Sequence, residues 1–579
     1  MSTGVRQDSM VMLLGVGLAF VAACSDPATR PTGPAPHAVV PAAEPAPTPG
    51  ALPSSTPAAP PGTLRMVFDD EPNHLNPDLD PDRSCFRLAF DTFYEPLVRR
   101  TANGDYEPVL ADRFTVDDEG HSYTFHLRPG VTFHDQTPLT ALDVVFTFDR
   151  LRSPRTHAPR MQARLADMER IELVRSDTVR IWARRPSAVL LPALAEVAIL
   201  PEHVFGRGEL QYQPANRRPV GTGPYRLKSW ERGERGERGH HLVLERYPRY
   251  WGSPPGYETI DVLFEEDAAQ ALGRAKRGEV EVVDRVPPAY LPEQLDSPTL
   301  RANYNAVRVE PFRFVFVQWN LAHPPLDRPE VRRALAMAVD RARLIEAARH
   351  GQGRPIAAPP LGDPQAAPMP RHAPEEAVKA LTAAGLVRTK DPADPSSASP
   401  SASATSPPSS AGPGPAPARA RFTLLVPSGS HEAEELGRRL AEALGKLGLS
   451  VEVVNGDLGS ILMRLRKGQF DGALLDWTGR PGDDLAPLFH SRGAYNHGGY
   501  RNPELDALLD AWHRPSAPGT TERHELAARI EAALAADPPA LFLYAPTEVF
   551  LYSRHLGAAP RFGDFLLLRG LRPADPTAK

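Results

Sequence analysis

The chain has 579 residues, of which 41% are hydrophobic and 65 are proline, about twice the average share of proline. Its 66 basic and 71 acidic residues give a net charge of -5 without a long block of either sign, which argues against a nucleic-acid-binding protein. Two cysteines are too few for a disulfide framework or a thiolate zinc site, and no stretch reaches the roughly 18 apolar residues of a membrane-spanning helix, which argues against a channel.

The first 24 residues have the pattern of a signal peptide. Arg6 precedes an apolar run, 11–21, which is followed directly by Ala22, Ala23 and Cys24. The end of this run resembles a bacterial lipobox, which implies that the Cys24 thiol is lipidated and anchors the mature chain to a membrane. An ordinary secretory signal cleaved near Ala23, or a short buried helix, is the alternative.

Two further segments have compositions that do not support a packed core. Residues 25–62 contain 12 prolines in 38 positions, and residues 391–418 consist largely of Ser, Ala and Pro. Such segments bury too little apolar surface to offset the entropy of ordering. We predict a disordered tether at 25–62 and a disordered insertion at 391–418.

The first folded part reads as mixed strand and helix. Residues 63–68 form a short apolar strand, and Tyr123, Phe125 and Leu127 alternate as on one face of a second strand. Thr140 is followed by a helical pattern of apolar residues. Later, residues 327–351 have the spacing of one helix that covers a core.

The most regular segment follows the insertion. Strands at 422–426, 449–454 and 472–475 alternate with helices after Ser430 and from 458 to 467, which is a β-α-β-α-β unit of a doubly wound lobe. Ligands of such sheets meet the carboxyl ends of the strands. The residues that follow Leu475 are therefore expected to face a cleft.

Several blocks occur together in the order of a known family. The chain resembles the family 5 extracellular solute-binding proteins, the peptide, dipeptide and nickel receptors of ATP-binding-cassette importers, over about residues 63 to 579. The blocks that carry the resemblance are Tyr94–Val98, Tyr106–Ala111, Tyr123–Asp135, Gly221–Tyr225, Tyr250–Gly252, Val331–Leu335 and Gly499–Asp506.

The resemblance implies an α/β, two-lobed periplasmic-binding-protein-like fold of the three-domain type, with an extra domain inserted into a discontinuous first lobe. The lobes would close on a ligand by a hinge. The boundaries expected from it are 63–90, 218–311 and 546–579 for the first lobe, 91–217 for the inserted domain and 312–545 for the second lobe.

The chain departs from the family at one cleft position. Peptide-binding members have Trp followed three residues later by Asp, which receives the α-ammonium group of the peptide. Here Trp477 is followed by Arg480, whose guanidinium would repel an ammonium group. We therefore expect a ligand with an anionic or blocked end, unless Arg480 faces solvent or pairs with Asp483.

Two further residues are candidates for the ligand site. Asp476 ends the strand before Trp477, where a structural role is the alternative. Asn320 follows an apolar strand that crosses into the second lobe, and a hinge hydrogen bond is its alternative. The predicted ligand-binding set is therefore Trp477, Arg480, Asp483, Asn320 and Asp476.

The resemblance implies a receptor rather than an enzyme. It would act as a lipid-anchored monomer on the extracytoplasmic, periplasmic side of a bacterial membrane, without a cofactor or a bound metal, and would deliver a small-molecule or peptide-like ligand to ABC permease subunits. A sensor or interaction lipoprotein without transport is the main alternative. A metal-complex receptor using His240 and His241, and a hydrolase, are weaker ones, because no full ligand set or hydrolase motif is visible.

Overall fold

The computed structural model describes residues 62–79, 83–101, 105–117, 120–231, 240–361, 369–387, 421–479, 484–514, 521–557, 561–562, 565–566 and 568–573. The predicted signal peptide, almost all of the tether and the insertion at 391–418 lie outside these ranges. In the ranges that are described, none of the helices combines the length and the apolar character needed to cross a bilayer.

The β-strands, in chain order, are β1 (Thr63–Phe68), β2 (Val98–Arg100), β3 (Tyr106–Pro108), β4 (Ala111–Val116), β5 (Ser122–Leu127), β6 (Met168–Arg175), β7 (Thr178–Ala183), β8 (Tyr225–Glu231), β9 (His240–Arg246), β10 (Thr259–Phe264), β11 (Val282–Val286), β12 (Tyr304–Val309), β13 (Arg313–Trp319), β14 (Gly353–Pro355), β15 (Arg421–Pro427), β16 (Ser450–Gly456), β17 (Gly472–Thr478), β18 (Ala540–Pro546), β19 (Glu548–Ser553), β20 (Arg561–Phe562) and β21 (Phe565–Leu566).

The α-helices are α1 (Arg83–Ala89), α2 (Ala141–Arg152), α3 (Pro159–Arg164), α4 (Leu190–Leu194), α5 (Glu202–Phe205), α6 (Ala268–Lys276), α7 (Leu291–Gln294), α8 (Pro298–Asn303), α9 (Pro329–Ala338), α10 (Arg341–Arg349), α11 (Pro374–Ala383), α12 (His431–Lys446), α13 (Leu458–Arg466), α14 (Ala486–Phe489), α15 (Pro503–Trp512) and α16 (Thr521–Ala536).

The first lobe is built on a seven-stranded sheet in the order β12-β19-β11-β1-β10-β9-β8. Strand β1 is parallel to β10 and β11, and the neighbouring strands β9 and β19 run antiparallel to them. These strands come from three separated stretches of the chain, so the first lobe is discontinuous.

The inserted domain is a four-stranded antiparallel sheet in the order β4-β5-β7-β6, covered by α2. The alternation predicted for β5 is confirmed, because Tyr123, Phe125 and Leu127 are all buried. Helix α2 begins after Thr140, whose backbone N–H donates to Asp143 Oδ2 at 2.9 Å. This bond satisfies one of the N–H groups that a helix start leaves free.

The second lobe is a six-stranded sheet in the order β14-β18-β13-β17-β15-β16. Strand β15 is parallel to β16 and β17, as the predicted β-α-β-α-β unit requires, while β13 runs antiparallel to both β17 and β18. Helix α12 starts at the predicted cap, where Ser430 Oγ accepts from the Ala433 N–H at 3.2 Å. It stops before Gly448, whose φ of +91° favours glycine.

Two sequence predictions need correction. The single helix expected over 327–351 is two helices, α9 and α10, because Val339 is extended and Asp340 starts a new helix by accepting from the Arg343 N–H at 3.1 Å. The strand expected to end at Leu475 continues to Thr478, because β13 pairs with β17 along its whole length.

The hydrophobic core divides the molecule into two bodies. One continuous cluster of buried residues joins one face of the first-lobe sheet to the inserted domain, for example Leu64, Phe93 and Phe148. The second lobe has separate clusters on the two faces of its sheet, with Val317 in one and Phe316 in the other. The inserted domain is therefore packed as part of the first body, and the second lobe is the other body.

Buried polar groups reinforce the junction between the inserted domain and the first-lobe sheet. Glu95 accepts from Thr222 Oγ1 at 3.0 Å, Tyr250 OH at 2.8 Å and Trp251 Nε1 at 2.9 Å, and burial raises its pKa to about 7. Asp78 Oδ1 accepts from the Ala198 N–H at 3.1 Å, and burial raises the pKa of Asp78 to about 8. Both carboxyl groups favour their neutral forms because they lie in a low-dielectric interior.

Candidate functional site

The two bodies are joined by two neighbouring chain crossovers. One leads from β12 to β13 through residues 310–312, and the other leads from β18 to β19 through Thr547. Val309 is paired with Glu548, so the crossovers lie side by side at one end of the strands of the first-lobe sheet. We call this end of the sheet the crossover edge. The carboxyl end of β11 lies at the same edge, because Val286 pairs with Val549. This edge is where a ligand of a parallel sheet is expected.

A charged group spans the crossovers. Arg313 is the first residue of β13, and its guanidinium lies 2.7 and 2.8 Å from Asp476 Oδ2 on β17 and 3.9 Å from Glu548 Oε1 on β19. The three side chains are only 19%, 12% and 10% exposed. One guanidinium therefore contacts carboxylates of both bodies in a partly desolvated position, where charge interactions are stronger than in water.

A second arginine completes this group from the second lobe. Arg349 is almost fully buried and donates to Glu432 Oε2 at 2.7 Å, to the Gln352 carbonyl at 2.7 Å and to the Thr547 carbonyl at 3.2 Å. Tyr544 OH donates to the other oxygen of Glu432 at 2.5 Å. We call Arg313, Arg349, Glu432, Asp476, Tyr544 and Glu548 the hinge cluster.

The carboxyl group of Glu432 is held in its charged form. Burial opposes ionisation, but Arg349, Arg313 and the hydrogen bond from Tyr544 together lower its pKa. Glu432 also lies in the first turn of α12, where the helix dipole favours negative charge. The hinge cluster is thus a network of charges at the junction of the two bodies.

Trp477 lies at the same edge, on the opposite face of the second-lobe sheet. Its ring meets that of Tyr495 edge-on, with ring centroids 5.4 Å apart, and packs against the cluster that contains Phe314. It is only partly buried, and Thr478, the next residue, is exposed. Its indole Nε1 has no hydrogen-bond partner among the described residues, and the same is true of Trp319 and Trp512. The unpaired nitrogen therefore does not single out Trp477 as a ligand contact, whereas its position near the crossovers does.

The predicted site residues are only partly brought together. Asp476 and Trp477 are neighbours on β17 at the crossover edge, and the carboxylate of Asp476 is engaged by Arg313 rather than open to a ligand. This matches the structural alternative for Asp476. Arg480 and Asp483 lie outside the described residues, so their roles stay predictions.

Asn320 lies at the opposite end of β13 from Arg313. Its backbone N–H donates to the Asp471 carbonyl at 2.9 Å, and its side-chain Nδ2 donates to the carbonyls of Gly468 and Phe470 at 3.1 and 2.9 Å. Its Oδ1 accepts from the Ala322 N–H at 3.2 Å. The side chain is buried, and its amide group makes its hydrogen bonds with backbone groups of the second lobe. We therefore leave Asn320 out of the proposed ligand site.

The adjacent histidines do not form a shared site. His240 and His241 are consecutive residues of β9, so their side chains point to opposite faces of the sheet. His240 Nδ1 lies 2.5 Å from Glu71 and His241 Nδ1 lies 2.8 Å from Asp261. Across the described ranges, no group of three or more His, Cys, Asp or Glu side chains is arranged to hold a metal ion.

Sequence reasoning missed most of the hinge cluster. Arg313 begins an otherwise apolar strand, and Glu548 begins another. A charged residue at the first position of an apolar strand was the one local signal of an ion pair there. The sequence does not show its partners, because they come from distant parts of the chain. Arg349 and Glu432, which lie on different helices, gave no local signal.

Comparison with known proteins agrees with this architecture. The family model of bacterial extracellular solute-binding proteins, family 5, matches residues 105–499. Protein XP55 of Streptomyces lividans is 30% identical over 484 residues, covering 82% of this chain and 81% of the relative. The dipeptide-binding protein of Escherichia coli is 24% identical over 450 residues, covering 73% and 77%.

A solved structure shows the same fold. The oligopeptide-binding protein AppA of Bacillus subtilis, in complex with a nonapeptide, superposes with a TM-score of 0.68 at 22% identity and covers 89% of this chain and 99% of its own. The family match includes most of the inserted domain and more than half of the second lobe. The chain belongs to the bacterial extracellular solute-binding proteins, family 5.

Proposed function

We propose that this protein is an extracytoplasmic receptor that captures a peptide-like or other small ligand between its two bodies and delivers it to an ABC permease. The observation that carries the proposal is the pair of adjacent crossovers, with Trp477 and the hinge cluster at the same edge. Two bodies with separate cores and two short connections can close around a ligand. Relatives named for dipeptide and oligopeptide binding support the peptide-like class.

We further propose that the ligand has an anionic or blocked end. The support is the sequence Trp477-Thr478-Gly479-Arg480, which places a guanidinium where an ammonium-binding carboxylate stands in peptide-binding relatives. A guanidinium binds a carboxylate or phosphate through two parallel hydrogen bonds. Micromolar binding of free-amine tripeptides, with no binding of their N-acetylated forms, would overturn this part.

Trp477 is the proposed ring against which the ligand packs. Trp477→Ala is expected to weaken binding of an N-acetylated tripeptide by about 10- to 100-fold, because a buried aromatic contact at an interface commonly contributes about 1 to 3 kcal/mol. Isothermal titration calorimetry measures the change. Trp182→Ala is the matched control, since Trp182 lies on the inserted domain, where it contacts Arg170 and Glu172. Equal affinities of the wild type and Trp477→Ala would remove Trp477 from the site.

We propose that Cys24 is the lipid anchor and that residues 1–24 are the signal. The support is the apolar run ending at Ala23-Cys24. Cys24→Ala is expected to move the protein from the membrane fraction to the soluble fraction, because the acyl chains provide the membrane affinity. Fractionation with metabolic labelling by a fatty acid measures this. A variant that stays in the membrane fraction would contradict the anchor.

The domain boundaries stay part of the proposal. They are 63–90, 218–311 and 546–579 for the first lobe, 91–217 for the inserted domain and 312–545 for the second lobe. Sheet membership supports them, because β12 belongs to the first-lobe sheet and β13 to the second, and β18 and β19 divide in the same way.

A further inference from the structure

One surface of the inserted domain carries arginine charges that are not balanced by carboxylates. It is formed by two segments, residues 150–157 at the carboxyl end of α2 and residues 207–218 after α5. The charged and titratable side chains of these segments are six arginines, one histidine and one carboxylate: Arg150, Arg152, Arg155, Arg207, Arg217, Arg218, His157 and Glu209. We call the two segments the basic surface.

Hydrogen bonds hold the two segments against each other. Arg150 Nη2 donates to the carbonyl of Gly206, just before the second segment, at 2.8 Å. Gln211 Nε2, in the middle of the second segment, donates to the Arg155 carbonyl at 3.2 Å. The arginines of the two segments therefore lie on one connected surface.

The second segment is also folded on itself. Gln213 Nε2 donates to the Arg207 carbonyl, and the Arg217 N–H donates to the Pro214 carbonyl at 3.0 Å. These bonds bring the start and the end of the segment together. Arg207 and Arg217 are therefore presented by the same ordered turn, with Arg218 next to them.

The positive charges of the basic surface are unpaired. Four of the arginines are exposed and form no ion pair with a carboxylate of the residues that the structure describes: Arg155, Arg207, Arg217 and Arg218. Exposed arginines elsewhere have such partners, as Arg438 has in Glu435 at 2.6 Å. Like charges that are gathered without counter-charges repel one another, so an external anion stabilises them.

The acidic groups close to the basic surface are too few to neutralise it. Glu209 Oε2 accepts from Gln211 Nε2 at 2.9 Å. Asp149 and Glu202 belong to the adjoining helices α2 and α5. When all three carboxylates are counted, the six arginines still leave a positive surface, on a chain whose net charge is -5.

An aromatic side chain projects from the same turn. Tyr212 is 74% exposed, the largest fraction among the large hydrophobic side chains of the described ranges. A tyrosine combines an apolar ring with a polar hydroxyl, and such side chains concentrate where a membrane meets water. Arginine binds phosphate groups through two parallel hydrogen bonds. An exposed tyrosine among unpaired arginines therefore fits a layer of anionic phospholipid headgroups.

We propose that the basic surface docks the inserted domain on the anionic phospholipids of the membrane that carries the lipid anchor. The choice of partner rests on the proposed anchoring at Cys24. The predicted tether of 38 residues reaches at most about 120 Å, at about 3.1 Å per residue, so an anchored body stays beside a membrane. Charge complementarity then decides which of its faces turns towards the lipid.

Docking by this surface gives the receptor a fixed orientation on the bilayer. Each arginine near an anionic lipid surface raises the partition onto it by about fivefold. A few such contacts make the docking reversible, so the body is released and captured again while the anchor stays in place. The inference goes beyond ligand binding, because it concerns a face of the inserted domain and not the space between the two bodies.

Vesicle sedimentation tests the proposal. The chain from residue 24 with Cys24→Ser lacks the predicted signal and the acyl chains, and it keeps every residue that the structure describes. It is mixed with vesicles of phosphatidylcholine alone, or of phosphatidylcholine and phosphatidylglycerol in equal amounts. The salt concentration is about 0.01 M or about 1 M, where the screening length is roughly 30 Å or 3 Å. The pelleted fraction of protein gives the partition coefficient.

We expect binding to the vesicles with phosphatidylglycerol at low salt, and little binding at high salt or to phosphatidylcholine alone. The double variant Arg217→Gln, Arg218→Gln is expected to lower the partition coefficient about 10- to 30-fold, because each arginine contributes about fivefold. Tyr212→Ala is expected to lower it several-fold without changing its salt dependence. Circular dichroism checks that the variants are folded.

The double variant Arg343→Gln, Arg492→Gln is the matched control. These side chains are 89% and 81% exposed and lie in the second lobe, so the control removes the same charge from another surface. It is expected to bind as the wild type does. Equal losses in the two double variants, equal binding to both kinds of vesicle, or no binding to either would overturn the proposal.

A second copy of the chain is the other occupant that the test distinguishes. Dimers in native mass spectrometry that are lost in Arg217→Gln, Arg218→Gln, together with no vesicle binding, would overturn the membrane docking and assign the surface to self-association. The vesicle assay uses neither acyl chains nor a peptide ligand. Failure of the anchor at Cys24 or of the peptide-binding experiments therefore leaves its outcome unaffected.

Discussion

Arg349→Met is expected to lower the free energy of unfolding by about 3 to 5 kcal/mol, the range measured when one partner of a buried ion pair is removed. The change removes the guanidinium that donates to Glu432 Oε2 and to the carbonyls of Gln352 and Thr547, and it leaves the charge of Glu432 without this counter-ion. Methionine fills part of the volume, so the lost hydrogen bonds account for most of the effect. Urea unfolding of the purified chain, followed by circular dichroism, measures the change.

Arg343→Met provides the control on the same helix. The side chain of Arg343 is 89% exposed, and its Nε lies 3.5 Å from Asp340 Oδ2, with which it forms an ion pair. Exposed pairs of this kind contribute about 0 to 1 kcal/mol, so little change is expected. Similar losses in the two variants would show that the hinge cluster does not stabilise the junction. Because Arg349 holds the Thr547 carbonyl, its variant also tests whether one crossover depends on this network.

Asp78→Asn is expected to gain about 4 kcal/mol of stability relative to the wild type between pH 5 and pH 8, about 1.4 kcal/mol for each pH unit. The pKa of Asp78 is raised to about 8 by burial, from an ordinary value of 3.8. Between these values the folded chain keeps a proton that the unfolded chain has lost, so the free energy of unfolding falls by about 1.4 kcal/mol per pH unit as the pH rises. Asparagine keeps an oxygen for the Ala198 N–H and has no charge to bury.

The window from about pH 6.5 to 8 isolates this effect from that of His134. Burial lowers the pKa of His134 to about 4, so His134 adds stability as the pH rises from about 4 to its ordinary 6.5. Glu95, with a pKa of about 7, acts in the same direction as Asp78 only up to that pH. Urea midpoints at several pH values measure the slopes. Asp296→Asn, on an 81% exposed carboxylate, is the control. A slope unchanged in Asp78→Asn would contradict the buried neutral carboxyl.

Local patterns were enough to predict the regular part of the fold. The unit from β15 to β17 was predicted because its leucines repeat at helical spacing and because Ser430 and Gly448 mark the ends of α12. The fold class followed from this unit together with the family resemblance. Each of these signals lies within one element or its cap, where the sequence acts directly on local structure.

Features that depend on pairing between distant segments were not predicted. The break at Val339 and Asp340 was missed because apolar spacing continues across it, and only the extended backbone at Val339 shows that one helix ends there. The extension of β17 to Thr478 depends on pairing with β13, which lies more than a hundred residues away. The antiparallel pairing of β13 with β17 and β18 in the second-lobe sheet was not predicted for the same reason, because these strands are far apart in the sequence.

The candidate site was predicted in part. The position of Trp477 near the end of β17 follows from the topology of parallel strands, and its contact with a ligand stays a prediction. Asn320 lies at the other end of β13 from Arg313, which the sequence does not reveal, because it shows that Asn320 follows β13 but not which end of the sheet that is. Arg313, Arg349 and Glu432 were missed because an ion pair between distant segments leaves no periodic pattern.

Native mass spectrometry of the full chain mixed with a defined set of di- and tripeptides, half of them N-acetylated, tests the central claim most directly. We expect complexes between one protein molecule and one peptide, formed preferentially by the N-acetylated members and weakened by Trp477→Ala but not by Trp182→Ala. Complexes with free-amine peptides alone would contradict the role of Arg480. The absence of any complex across the whole set would contradict a receptor for peptide-like ligands.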